Sequence, residues 1–86
     1  MRRSKFYYKD GSILDHYDKN KILHRKGAPA IEGFNGSKYW CINDKYHRED
    51  GPSIEWASGD KAWCLDGKWY SEKQWKAKLK ELNNET

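Results

Sequence analysis

HRKGAPAIEGFNGSKYWCINDK, residues His24 to Lys45, and HREDGPSIEWASGDKAWCLDGK, residues His47 to Lys68, decide the fold. They align without a gap at an offset of 23 residues, with ten of 22 positions identical. The identities are His24/His47, Arg25/Arg48, Pro29/Pro52, Ile31/Ile54, Glu32/Glu55, Gly36/Gly59, Lys38/Lys61, Trp40/Trp63, Cys41/Cys64 and Lys45/Lys68. A fixed period of this length marks a repeat architecture, in which each unit packs on the next.

Each copy makes the same local moves. His-Arg is followed by a Gly/Pro turn, and Pro29 and Pro52, lacking an amide donor, can only begin a strand or lie on an edge. A strand follows (Ala30–Phe34, Ser53–Ala57), then Asn35-Gly36 or Ser58-Gly59 as a two-residue hairpin turn. A returning strand (Lys38–Ile42, Lys61–Leu65) runs to Asn43-Asp44 or Asp66-Gly67, and a short third strand (Lys45–His47, Lys68–Tyr70) closes the unit. Upstream, Lys5–Lys9 and Ile13–Tyr17 read as strands around Asp10-Gly11, so residues 5–23 form a degenerate copy ahead of repeats 24–45 and 46–70. Residues 1–4 and 83–86 are expected to fray.

Strand alternation places Trp40 with Ile42, and Trp63 with Leu65, on one face, and Cys41 and Cys64 with Tyr39 and Ala62 on the other. The Trp face is expected to be the core, with Glu32 and Glu55 exposed. From Ser71 the period changes. Ser71-Glu72-Lys73-Gln74 is a capping box, and Trp75, Leu79 and Leu82 form an apolar stripe along a helix over residues 71–83. Glu72 and Lys76 are spaced to pair on it. The expected fold is mainly β in a single domain, residues 1–86. Meandering antiparallel hairpin repeats form a curved sheet or a partly open barrel, which the C-terminal helix caps.

Composition fits a thin core built from rings. The chain has 86 residues, with five Trp, six Tyr and two Phe against 35% charged residues. The net charge of +4 comes from the amino end (Arg2, Arg3, Lys5, Lys9), while residues 24–70 carry seven basic and seven acidic groups. A neutral body is a weak nucleic-acid footprint. No apolar run is long enough to span a membrane, and the first residues lack the apolar centre of a signal peptide. A cytoplasmic location is therefore expected, with Cys41 and Cys64 as reduced thiols.

Candidate sites follow from what recurs and what does not. His24-Arg25 and His47-Arg48 precede equivalent turns, so they are either paired cationic notches for an anion or parts of the repeat's internal bonding. Arg48 has Asp50 nearby in sequence for the second role. Trp56 replaces Gly33, and Trp69 replaces Tyr46, so those rings are not demanded by the period. Either they pack under the helix with Trp75, or they are recognition anchors. Phe34, Tyr39 and Tyr46 are further candidate surface rings. The His and Cys spacings do not match structural zinc sites, and no nucleophile elbow, phosphate loop or His-Glu helix motif occurs. A non-enzymatic protein with no metal and no cofactor is expected.

The string HR-x-D-G-P, then I-E, a Gly turn and K-x-W, as in HREDGPSIEWASGDKAW, resembles MORN-like repeats of small bacteriophage and prophage proteins. The first copy departs from it, reading HRKGAP where HREDGP is expected. The resemblance covers roughly residues 21–70. It implies a hairpin-repeat fold and a protein that binds and inhibits a host protein, an antiviral defence factor such as a CRISPR effector. Two other readings are a protein that sequesters a small anionic ligand such as a nucleotide immune signal, and a weak nucleic-acid binder. A monomer or homodimer fits each of them.

Overall fold

A computed structural model describes residues 3–83 of the chain. The elements are β1 (Lys5–Tyr7), β2 (Ile13–Leu14), β3 (Ile31–Glu32), β4 (Lys38–Tyr39), β5 (Cys41–Ile42), β6 (Lys45–Tyr46), β7 (Ile54–Glu55), β8 (Lys61–Leu65), β9 (Lys68–Tyr70) and α1 (Glu72–Asn83). Seven strands form one antiparallel sheet in the order β2-β1-β3-β4-β7-β8-β9, and β5 pairs with β6. The sheet is open, with β2 and β9 at its edges, so it is not a closed barrel. The result is a slab only 19 Å through its shortest axis and 43 Å along its longest. The fraying expected at residues 1, 2 and 84–86 falls outside the described residues.

The strands are shorter than the sequence pattern suggests, because each returning strand changes partner at its tryptophan. Lys38 and Tyr39 pair with β3 and β7, whereas Cys41 and Ile42 pair with β6. In the second copy Lys61 and Ala62 pair with β7, and Trp63 to Leu65 pair with β9. At the switch the Trp40 amide donates to the Ser53 carbonyl (2.8 Å), and the Trp40 carbonyl accepts from His47 N–H (3.0 Å). Both sides of the Trp backbone are thus used, each by the following unit. The degenerate copy obeys the same rule: Tyr7 donates to the Ala30 carbonyl and accepts from His24 N–H.

The hairpins that were expected to turn in two residues are longer. The Gly33 amide bonds the Ser37 carbonyl, and the Gly36 amide bonds the Gly33 carbonyl. That is a three-residue loop with its last residue left-handed, and Gly36 (φ 95°) and Gly59 (φ 96°) fill that position. The two-residue turns sit at the other end of the unit. Asn43-Asp44 (φ 50° and 66°) and Asp66-Gly67 (φ 50° and 80°) have both central residues left-handed, as a type I′ turn requires.

Cross-strand register lays out the two faces. Leu14, Phe6, Ile31, Tyr39, Ile54 and Ala62 are successive partners across β2, β1, β3, β4, β7 and β8. The adjacent row, on the opposite face, reads Lys5, Glu32, Lys38, Glu55, Lys61. Alternating signs directly opposite one another favour this register. Parity puts Trp40 with Lys38 and Trp63 with Lys61, on the charged face. The expectation of a Trp-lined core is therefore wrong. Cys41 (2% exposed), Cys64 (0%), Ile54 (1%) and Ala62 (7%) on the other face are buried, while both tryptophans are only partly covered; on the Trp63 parity only Leu65 is buried. A slab this thin has room for small side chains inside. Trp40 and Trp63 lie across the outside and need covers of their own, although Tyr8 and Trp75 are buried. Glu32 and Glu55 are likewise half-buried rather than exposed.

The helix starts where the capping box puts it. Ser71 Oγ accepts from Gln74 N–H, and Gln74 Oε1 accepts from Ser71 N–H, both at 3.1 Å. Lys76 pairs with Glu72 at 3.3 Å. Of the expected stripe, Trp75 is buried and Leu79 half-buried, but Leu82 is exposed.

Candidate functional site

The recurring His-Arg pairs build the repeat. Arg48 lies over the Trp40 ring, its Cζ 3.8 Å from the centroid. Its Nε donates to Asp50 (2.9 Å), and its NH1 donates to the Pro52 carbonyl and to Glu55 (3.1 Å each). One guanidinium thus ties a turn, a strand and the preceding unit's tryptophan together, with stacking and charge-assisted hydrogen bonds acting at once. Arg25 does the same one unit earlier. It lies 3.8 Å over the Tyr7 ring and donates to the Pro29 carbonyl at 3.2 Å. Trp63, the second of the two recurring tryptophans, has no following repeat. Trp75 of α1 covers it instead, with centroids 4.7 Å apart, and the Trp75 indole N–H donates to the Arg48 carbonyl at 2.9 Å.

His24 and His47 are also structural acceptors. The Asn43 amide donates to His24 Nδ1 (3.1 Å), and the Asp66 amide donates to His47 Nδ1 (3.0 Å). Each ring satisfies a backbone donor of the left-handed turn near the end of its own unit. This fixes the Nε2–H tautomer, and His47 Nε2 then reaches Glu49 at 2.9 Å.

Arg25, Arg48, His47, Trp40 and Pro29 nevertheless border a shared cleft of about 330 Å³ on the charged face. The opposite face carries a row of rings. Tyr39 and Tyr46 have centroids 6.2 Å apart, and Trp69 meets Tyr46 edge-on at 6.0 Å. Phe6 and Tyr17 form a second pair at 6.3 Å. Tyr17 is 55% exposed and Trp69 59%, and a hollow of about 480 Å³ is lined by Tyr17, Leu23, Ile31, Cys41, Asp44 and Tyr46. Trp69 therefore does not pack under the helix with Trp75, the first of the two arrangements open to it. Trp56 and Phe34 stand apart from both regions. They sit at neighbouring hairpin loops, where Phe34 is 63% exposed and Trp56 36%.

The sequence reading passed over Tyr7 and Trp40 as the platforms under the arginines, and Tyr17 as part of the ring face. The signal for the platforms was present, since Lys38 and Trp40 share strand parity.

Among the described residues no group of three His, Cys, Asp or Glu side chains is placed to hold a metal ion. Burial, with smaller contributions from Asp44 and Cys64, pushes the Cys41 thiol up to about 12, and burial also raises Cys64. Both cysteines are free. The Tyr7 hydroxyl is raised chiefly because it donates to the Glu32 carboxylate at 2.8 Å, and Tyr46 is raised by burial. These shifts all favour the protonated form, opposite to what an activated nucleophile needs. No helix among the described residues is long and apolar enough to cross a membrane. Comparison with models of protein families, with characterised proteins and with solved structures returns no match.

Proposed function

We propose that this chain is a non-enzymatic binding module that engages another protein through its ring face. The observation that carries this reading is the half-exposed row Tyr39, Tyr46 and Trp69, continued past the hollow by Tyr17. Large amphipathic rings gathered on one side of a small domain are the side chains most often used as interface anchors. The use of Arg48, His24 and His47 inside the repeat supports placing recognition on that face. The resemblance to phage-encoded repeats supports a host protein as the target, an antiviral defence factor whose surface the module would block. The positive net charge fits a protein target better than mimicry of DNA, which calls for an acidic surface.

The test pairs capture with substitution. Tagged protein incubated with bacterial lysate should retain one protein at fixed stoichiometry, and Trp69→Ala with Tyr17→Ala should abolish the capture while leaving the circular-dichroism spectrum unchanged. Equal capture by the substituted protein would refute the assignment of the face.

A further inference from the structure

The two copies of the Arg turn differ in one respect with a chemical consequence. In the second copy the Asp50 carboxylate accepts from Arg48 Nε at 2.9 Å. In the first copy the aligned residue is Gly27, which has no side chain to offer, and Lys26 stands where Glu49 stands in the second. Among the described residues, Arg25 hydrogen-bonds only the Pro29 carbonyl, and its one acidic neighbour within 4 Å is Glu32 at 3.7 Å. No acceptor among the described residues meets its Nε. A second difference accompanies this. Gly51 lies under the Arg48 guanidinium so closely that a Cβ there would come within 2.8 Å of Cζ, yet the first copy carries Ala28 at that position. The first turn is built differently, with Gly27 left-handed at φ 79°, and the Arg25 side chain is 33% exposed against 21% for Arg48.

From this we infer that the Arg25–Lys26 turn is an oxyanion site, and that a carboxylate or phosphate group of a ligand takes the place the Asp50 carboxylate holds in the second copy. The second copy in effect carries its ligand covalently. Arg25 supplies donors in a fork suited to a planar or tetrahedral oxyanion, and Lys26 adds a mobile charge beside it. Arg25 spends NH1 on the Pro29 carbonyl and its plane on Tyr7, which leaves the Nε edge of the fork for a ligand. Lys26 is exposed and forms no ion pair among the described residues, whereas Lys21 and Lys76, for instance, are paired with Asp10 and Glu72. The carboxylates that share the cleft are already engaged, Glu49 by His47 and Asp50 by Arg48, so they compete weakly with an incoming anion. The cleft of about 330 Å³ is lined by Arg25 and Lys26 together with Trp40, leaving room for the rest of a small ligand. This inference stands independently of the ring-face reading, which concerns the opposite side of the sheet.

The test is an NMR titration of the arginine Nε–Hε resonances at constant ionic strength. The probes are inorganic phosphate, a nucleoside monophosphate and free glutamate. Arg25 should shift saturably, with a midpoint on the order of 1 mM for a fork on a single oxyanion, while Arg48 stays still. Lys26→Glu, a surface change that copies the second repeat, should abolish the response without altering the fold. Asp50→Gly should free Arg48 Nε and create a second saturable site. The arms distinguish sources. A nucleoside monophosphate binding at least tenfold tighter than phosphate places a base in the cleft, equal midpoints leave the phosphate group as sole determinant, and a response to glutamate alone makes a carboxylate the ligand group. The inference is overturned if Arg25 is silent to all three, if Arg25 and Arg48 drift together without saturating, or if Lys26→Glu responds like the parent protein.

Discussion

Replacing Trp75 by alanine removes the cover of the last repeat, and the structure sets the size of the effect. The indole is 6% exposed, packs 4.7 Å from the Trp63 ring and donates to the Arg48 carbonyl. A buried tryptophan removes roughly 150–250 Å² from water. At about 25 cal/mol per Å² that is about 4–6 kcal/mol, of which alanine keeps a small part. The lost hydrogen bond adds about 1 kcal/mol, and relaxation of α1 against β8 recovers some of the total. A loss of about 4 kcal/mol follows, in line with Trp→Ala changes in cores. Against a total stability of roughly 5–15 kcal/mol, at its low end for so small a domain, this leaves a barely folded chain. Urea denaturation followed by far-ultraviolet circular dichroism should show the midpoint falling by roughly 2–4 M, or unfolding without denaturant. Trp75→Phe keeps most of the ring and loses only the N–H donor, so it should cost about 1–2 kcal/mol. A cost below about 1 kcal/mol for Trp75→Ala would refute the idea that α1 seals the array.

Three other outcomes are expected. Arg48→Lys should cost about 1–3 kcal/mol and Arg25→Lys distinctly less, because Arg48 alone among the two holds Asp50 and a short bond to Glu55; equal melting temperatures for the two variants would contradict this. Ser53 Oγ, fully buried, accepts from Cys64 N–H (3.0 Å) and donates to the Cys64 carbonyl (2.8 Å), so Ser53→Ala should cost about 1–3 kcal/mol by orphaning that amide, as read by chemical denaturation. Cys41 makes stability depend on alkaline pH. The unfolded thiol ionises near its ordinary 9.0, whereas the folded thiol holds its proton up to about 12. Unfolding then releases a proton in that window, so the contribution is fully present below pH 9 and declines above it, by at most about 1.4 kcal/mol per pH unit. Cys41→Ala should flatten this part of the stability–pH curve, and an unchanged slope would count against the buried thiol.

The sequence made the repeat legible and hid which side of it is the inside. The period shows because each unit must satisfy the same backbone groups, and those contacts fall on the identical residues: Arg25 and Arg48 on the turns, His24 and His47 on the left-handed amides. The capping box was legible because its two bonds are local. Alternation correctly separated Trp40 from Cys41, but parity alone does not say which face is buried. Ring size argued for tryptophan, yet Lys38 and Lys61 on the same parity argued against it. The structure resolves the conflict by stacking arginine on the ring, which a hydrophobicity count cannot anticipate. The hairpin loops are not legible in the sequence, because Asn35-Gly36 fits a two-residue turn equally well until the Gly33–Ser37 closing pair is known. On the site side, the departure of HRKGAP from HREDGP was visible in the sequence. Its meaning needed the Arg48–Asp50 contact to show what the first copy lacks. The sequence offers Tyr39, Tyr46 and Trp69 as separate candidates, but the row joins three strands and only register brings it together.

The array is held by each unit's cation lying on the aromatic ring of the unit before, and the Arg48 side-chain proton shifts read that contact directly. With Cζ 3.8 Å above the Trp40 centroid, the Arg48 δ and ε protons should move strongly upfield through the indole ring current, and return to ordinary values in Trp40→Leu. Ordinary arginine shifts in the parent protein at neutral pH would contradict the stacking and, with it, the way the repeats are joined.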